Sequence, residues 1–215
     1  MILEIFSDLI CPWCYIGKRR LDSVLETASG TDVQVVWRAF QLYPGIPAEG
    51  MSRQDFLLAR YGAQGVPGNG REQLVAEAEG AGISMDFAAI SRMPNTFVGH
   101  RLLHVARASG HQHALAERLF SLYFEAGEDI GDLQVLAAAG AAVGMDPDSV
   151  ASALTGTAGH DAVLAELDRA ANIGISSVPC FLFAGAFALP GAQKPEVMGQ
   201  FIERARSRLS RPAES

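Results

Sequence analysis

Two cysteines separated by two residues are the group in this sequence best suited to covalent chemistry. Cys11 and Cys14 enclose Pro12 and Trp13, and the motif follows a short apolar segment. At the start of a helix, residues three positions apart lie on the same side and within disulfide reach. Unpaired N–H groups and the positive end of the helix dipole favour a thiolate there. The spacing therefore predicts disulfide exchange, in which Cys11 attacks and the deeper Cys14 resolves the mixed disulfide.

A metal site is the main alternative interpretation of these cysteines. A zinc site would need a second pair of ligands, and Cys180 is the only other cysteine. His100 and His104 have helical i, i+4 spacing but lack the glutamate of a metalloprotease motif between them. We therefore predict no metal. Cys180 itself has two interpretations that the sequence leaves open, a small core residue or a third sulfur near the pair.

The elements around the motif follow the pattern of a divided sheet. A strand over 2–6, a helix from Pro12 and a strand over 33–40 form a β-α-β unit whose strands we expect to be parallel. From 52 to about 171 almost every segment has a helical pattern, interrupted by glycines and prolines. A hairpin over 180–189 and a helix from Pro195 to Leu209 follow, and the polar tail after them is expected to be loose.

This order predicts an α/β protein with a thioredoxin fold and a large all-helical insertion. The thioredoxin-like domain would be discontinuous, formed by 1–45 and 172–212. The insertion would span 46–171. Pro12 would begin the first helix, where its missing N–H costs nothing.

A valine–proline pair lies far from the cysteines in sequence but is predicted to be close in space. Val178-Pro179 precedes a buried strand, and in this fold such a bond is a candidate for the cis form. The Val178 backbone would then be free to pair with an extended substrate. An ordinary trans proline at the end of a loop is the alternative. Together with Pro12 and Trp13, these two residues are the predicted substrate-binding set.

Composition restricts the partners and the compartment. The chain has 215 residues, of which 49% are hydrophobic, and a formal net charge of −7. An acidic chain of this kind is not expected to bind nucleic acid or an anionic membrane surface. No basic and apolar leader is evident at the start, and three cysteines do not form a disulfide framework, so we expect a cytoplasmic protein. The uncharged stretch 170–193 is broken by prolines and glycines and is not interpreted as a membrane helix.

The segment Asp8-Leu-Ile-Cys-Pro-Trp-Cys-Tyr-Ile-Gly17, with Val178-Pro179 near the C-terminus, resembles the DsbA family of thiol–disulfide oxidoreductases, and more closely its FrnE-like branch. The segments 37–40, 94–96, 100–103 and 191–193 agree with that branch. The resemblance implies a thioredoxin fold with a helical insertion and a cis Pro179 beside the cysteine pair. It also implies dithiol–disulfide exchange on proteins or small thiols, with no bound cofactor and with glutathione as a candidate co-substrate.

Three departures from related enzymes matter. The related 2-hydroxychromene-2-carboxylate isomerases and kappa-class glutathione transferases use a serine at the position of Cys11, so a glutathione-dependent isomerase or transferase is the alternative function. Periplasmic DsbA-type enzymes have a histidine where this chain has Trp13. Thioredoxins have a buried acid at the position of Ile5. Here Asp8 is the nearest acid, either a proton relay for Cys14 or a turn residue. The sequence leaves open the substrate, the direction of electron flow and whether the chain forms a homodimer.

Overall fold

The computed structural model describes residues 1–27, 32–64 and 70–209. Three sequence predictions lie outside these ranges. They are the end of the first helix at Ser29-Gly30, the middle of the glycine-rich break between Gly62 and Gly70, and the tail after Leu209.

A four-stranded sheet forms the centre of the molecule, with strand order β2-β1-β5-β6. β1 pairs parallel with β2, whereas the β1–β5 and β5–β6 pairs are antiparallel. The parallel β-α-β unit and the C-terminal hairpin are therefore confirmed. The strands of this sheet are β1 (Ile2–Ser7), β2 (Gln34–Ala39), β5 (Cys180–Phe183) and β6 (Phe187–Pro190).

Helices occupy most of the remaining described chain. The last of them has the bounds predicted from the sequence. Within the insertion, the sequence pattern predicts helices over 56–61, 71–81, 96–108, 114–125, 133–143, 147–154 and 162–171, and the observed bounds agree to within about three residues. The helices are α1 (Pro12–Leu25), α2 (Arg53–Tyr61), α3 (Gly70–Glu79), α4 (Phe97–Ala106), α5 (Gln112–Phe124), α6 (Leu133–Ala142), α7 (Pro147–Thr155), α8 (His160–Asn172) and α9 (Pro195–Leu209).

The two faces of the sheet are covered by different helices. Side chains alternate along β1, so Leu3 and Ile5 face the large core that includes α1 and α9. Phe6 faces the opposite side and packs in a smaller cluster with Ala170 of α8. The sheet is thus buried on both faces, which explains why its central strand has almost no exposed residue.

The helical segment contains one feature that the sequence did not predict. Met51–Ser52 (β3) and Arg92–Met93 (β4) pair as a two-stranded antiparallel sheet. Each strand has only two residues, too few for an alternating pattern. Ser52 also accepts a hydrogen bond from the Asp55 N–H as the cap of α2, so its residue type indicates a helix start. The family match reported below supports the larger prediction, an α/β thioredoxin fold with a helical insertion.

Candidate active site

The cysteine motif lies where β1 ends and α1 begins. Cys11 is the N-cap residue, in an extended conformation, and Pro12 is the first residue of the helix. The Cys11 N–H donates to the Asp8 carbonyl at 3.1 Å, and the Cys11 carbonyl accepts from the Cys14 N–H at 3.0 Å. The backbone therefore turns tightly from strand to helix and fixes the position of the first cysteine.

The Cys11 sulfur faces the proline loop at the start of β5. Its thiol donates to the Val178 carbonyl at 3.7 Å and makes no capping hydrogen bond to the helix N–H groups. Both cysteines are free thiols, which explains this orientation, because a thiol is a donor and a carbonyl accepts. The side chain is 3% exposed, against 1% for Cys14, so the expected difference in exposure between the two sulfurs is small.

The surroundings of Cys14 favour its protonated form. Burial, followed by hydrogen bonding and charge repulsion from Cys11, raises the pKa of the Cys14 thiol well above its ordinary value. The Ser7 hydroxyl and the Asp8 N–H act in the opposite direction and only partly offset these effects. At neutral pH Cys14 is therefore a thiol that must lose a proton before it can attack.

The Val178–Pro179 peptide bond is cis. Pro179 is buried and Val178 is half-buried. The Pro179 ring packs directly on α1 at Gly17, where a Cβ atom would lie 3.1 Å from the Pro179 Cγ and 3.1 Å from the Phe181 Cζ. Glycine at this position lets the proline loop approach the helix that carries both cysteines.

Asp8, three residues before Cys11, is fully buried. One carboxylate oxygen accepts from the Leu42 N–H at 2.7 Å. The other lies 3.6 Å from His100 Nε2 and has no hydrogen-bond partner among the described residues. The backbone N–H of Asp8 hydrogen-bonds to Cys14 and lowers the pKa of its thiol. Asp8 thus holds the loop after β2 and keeps one free oxygen in the interior.

Trp13 is half-buried and packs against the main core. Sequence reasoning did not select Tyr43, which the fold brings close enough to Cys11 that the two side chains interact electrostatically. Tyr43 lies in a loop of ordinary composition, so no local pattern marks it.

Cys180 lies apart from the pair. It belongs to the smaller cluster with Phe6, Ala170 and Leu182, on the side of the sheet opposite the core that contains Cys11. Burial raises the pKa of its thiol. This environment is that of a small core residue.

Within residues 1–27, 32–64 and 70–209, no group of three or more His, Cys, Asp or Glu side chains could hold a metal ion. None of the helices in this part of the chain is long and apolar enough to cross a membrane.

Residues 2–203 match the family model of the DSBA-like thioredoxin domain. The chain belongs to this family. The match extends across the sheet, the cysteine motif and the helical insertion, in agreement with the resemblance found in the sequence.

Solved structures show the same fold over nearly the whole chain. A probable DsbA oxidoreductase from Streptomyces coelicolor is 31% identical, with a TM-score of 0.86 over 100% of this chain and 93% of that one. The cytosolic disulfide reductase DsbM from Pseudomonas aeruginosa is 19% identical, with a TM-score of 0.68 over 98% and 100%, and it has also been solved with GSH. A 2-hydroxychromene-2-carboxylate isomerase is 16% identical, with a TM-score of 0.69 over 98% and 100%.

Proposed function

We propose that this chain is a thiol–disulfide oxidoreductase that works through Cys11 and Cys14. The observation that carries the proposal is the pairing of two unlike thiols. Cys11 is the N-cap residue of α1 and its thiol contacts the Val178 carbonyl, whereas Cys14 lies one turn further on and burial keeps it protonated. An attacking sulfur beside a free backbone edge, with a protected resolving sulfur behind it, is the arrangement that disulfide exchange requires.

In the reducing direction, the Cys11 thiolate attacks one sulfur of a substrate disulfide. The disulfide bond breaks, and the first substrate thiolate leaves and takes a proton from solvent. Cys14 then loses its proton and attacks the Cys11 sulfur, which releases the second substrate thiol. Two electrons pass from the cysteine pair to the substrate, and a Cys11–Cys14 disulfide remains. The reverse sequence oxidises a substrate dithiol.

Only a thin substrate can reach the Cys11 sulfur. With only 3% of Cys11 exposed, an extended chain or a small thiol reaches the sulfur more readily than a folded surface does. Pro12, Trp13, Val178 and Pro179 are the proposed contact residues. The structure of DsbM with GSH supports glutathione as a co-substrate. The fold shared with that cytosolic reductase supports the cytoplasm as the compartment.

Trapping of the mixed disulfide tests this proposal. In a Cys14→Ala variant, Cys11 still attacks but nothing resolves the product, so a stable adduct with a disulfide peptide should accumulate. Mass spectrometry locates the adduct on Cys11. Cys11→Ala should form none, and the matched control Cys180→Ala should turn over within about twofold of the unaltered protein, because a site remote from the reacting pair adds nothing to it. Exchange that survives loss of Cys11 would refute the proposal.

A glutathione-dependent isomerase or transferase is the second candidate, supported by the fold shared with 2-hydroxychromene-2-carboxylate isomerase. The Cys14→Ser variant separates the two functions. Disulfide exchange needs the resolving sulfur and should stop, whereas an isomerase that uses Cys11 alone to position a thiol should remain active.

A further inference from the structure

A cavity of about 340 Å³ opens beside the cysteine motif. Ile10 and Pro12, the two neighbours of Cys11 in sequence, form part of its wall. Tyr43 forms another part, and its pKa is raised first by burial and then by neighbouring groups that include Cys11. The cavity therefore lies against the backbone segment that carries Cys11.

The wall of this cavity is formed mainly by aromatic and aliphatic side chains. Tyr43 and Phe56 meet edge to face, with ring centroids 4.7 Å apart, and Phe87 and Phe124 form a similar pair at 6.3 Å. Ligand cavities in proteins usually have volumes of about 300–1,000 Å³, and those with mostly apolar walls bind apolar bodies. The size and the wall suit one aromatic ring with short substituents.

Two arginines give this apolar cavity a charge. Arg53 and Arg71 line it, and no aspartate or glutamate is among its described lining residues. Neither guanidinium forms an ion pair with any residue that the structure describes. The Arg71 guanidinium lies 5.5 Å from the centroid of Phe87.

The surroundings of the half-buried Arg53 disfavour its positive charge. Burial, together with repulsion from Arg71, lowers the pKa of its guanidinium. The chain has a formal charge of −7, and carboxylates pair with other buried or half-buried cations such as Lys18 and Arg38. A partly desolvated cation without a counter-charge is stabilised by an anionic ligand, and guanidinium binds carboxylate most strongly in a planar pair.

We propose that this cavity binds one half of a small disulfide that carries an apolar ring and a carboxylate, with the carboxylate at Arg53 and Arg71 and the ring against Tyr43 and Phe56. This inference rests on the proposed exchange function and names its substrate class. Cys11 attacks the disulfide, whose S–S bond breaks, and one half leaves as a thiolate. Cys14 then gives up its proton and displaces the other half as a thiol, so two electrons and one proton pass to the substrate.

Two aromatic disulfides that differ in charge test the proposal on the full chain. Dithiobis-nitrobenzoate carries a ring and a carboxylate on each half, and dithiodipyridine is neutral. We measure the second-order rate constant of the reduced protein with each and divide the two. The same ratio for free glutathione corrects for intrinsic reactivity. Arg53→Gln should lower the corrected ratio by at least about tenfold, which corresponds to ~1.4 kcal/mol.

Arg204→Gln is the matched control. Arg204 lies on α9 and is exposed, and it is not among the described residues that line the cavity. The same loss of charge there should change the ratio less than about twofold, because exposed charges are screened. Arg53→Lys keeps the charge and should retain part of the ratio.

Binding without exchange gives a second measurement that needs no variant. Naphthoate should slow alkylation of Cys11 by occupying the cavity, and neutral naphthalenemethanol should do so at least about tenfold more weakly. Equal inhibition by both compounds, or an unchanged ratio in Arg53→Gln, overturns the inference while exchange itself stands. Failure of the unaltered protein to react with either disulfide would instead refute the proposed function.

Discussion

Cys11 and Cys14 are chemically identical side chains that the fold places in different surroundings. Cys11 lies at the helix entrance and contacts the Val178 carbonyl. Cys14, one turn along, is buried among core residues and has a pKa raised well above its ordinary value. Once Cys11 is in a mixed disulfide it no longer carries a negative charge, so one cause of the high Cys14 pKa is gone. Burial remains, and the resolving step still requires a proton acceptor.

The sequence leaves Asp8 as either this acceptor or a turn residue, and its substitution by asparagine separates the two roles. Asp8→Asn keeps an oxygen for the Leu42 N–H but removes the carboxylate whose second oxygen has no hydrogen-bond partner among the described residues. General bases contribute factors of about 10²–10⁴, so we expect resolution by Cys14 to slow at least about 10²-fold. Attack by Cys11 should change little. Rapid-mixing experiments that follow the two thiol releases separately measure both steps.

Glu4→Gln is the control, because Glu4 is a buried carboxylate on β1 that faces the other side of the sheet, where it pairs with Arg38 and Arg169. Its loss should leave the ratio of the two steps unchanged. If Asp8→Asn resolves at the normal rate between pH 5 and pH 9, Asp8 is a turn residue only.

At the level of elements, a buried carboxylate of α8 helps to attach this helix to the sheet. Glu166 accepts from the Ala39 N–H at 3.0 Å, from Arg38 at 2.9 Å and contacts His104 at 3.3 Å. Burial alone would raise the Glu166 pKa, but the hydrogen bonds from His104, Ala39 and Arg38 outweigh it and lower the pKa below 4.5. A carboxyl whose folded pKa is depressed stabilises the protein above its ordinary pKa, and this stabilisation is lost as the pH falls through the folded value.

Glu166→Gln should therefore lower the free energy of unfolding by about 1–3 kcal/mol at pH 7, because Arg38 and the Ala39 N–H donate to different carboxylate oxygens and one of these becomes an NH2 donor. The variant should also lose less stability than the unaltered protein between pH 5 and pH 3. Urea unfolding at several pH values measures both effects. Asp168→Asn, an exposed change on the same helix, should have an effect below about 0.5 kcal/mol. An equal acid sensitivity in both proteins would show that Glu166 does not contribute to it.

Sequence patterns predicted most elements because their signals are local. The β-branched run of β2, the Pro-initiated α1 and the Ala184-Gly185 turn each specify their own backbone. The β3–β4 pair carried no such signal, since its two-residue strands exist only because the chain brings them together. Helix bounds moved by a few residues for the same reason, because end positions depend on contacts made elsewhere.

Some residues of the candidate site could also be predicted from the sequence, and others could not. The Cys11–Cys14 spacing and the Val178-Pro179 pair are visible in the sequence, because each is a short motif with its own chemistry. Tyr43 and Arg53 are not, because only the tertiary fold places a loop tyrosine and an α2 arginine beside the motif. The direction in which the Cys11 sulfur points was also hidden, since it depends on a carbonyl 167 positions away.

At the scale of the molecule, the helical insertion covers one edge of the central sheet. β2 is an edge strand, and the unpaired N–H and carbonyl groups of an edge strand can pair with another chain. Gln112 of α5 covers it as a neighbouring strand would, accepting from the Trp37 N–H at 2.9 Å and donating to the Trp37 carbonyl at 3.1 Å. The main core also contains residues of both parts, such as Ile5 and Leu119. We propose that 46–171 is an insertion in sequence but not an independent folding unit.

Two probes of unfolding test this last proposal. Both tryptophans, Trp13 and Trp37, lie in the thioredoxin-like part, so fluorescence reports on it, whereas far-UV circular dichroism reports mainly on the helices of the insertion. The two urea transitions should coincide, since a shared core cannot melt in halves. Gln112→Ala leaves the backbone N–H and carbonyl of Trp37 unpaired. It should lower the urea midpoints of both probes together, with a loss of about 1–3 kcal/mol in the free energy of unfolding. The exposed control Gln134→Ala should move neither, and separate transitions for the two probes would mean that the insertion folds on its own.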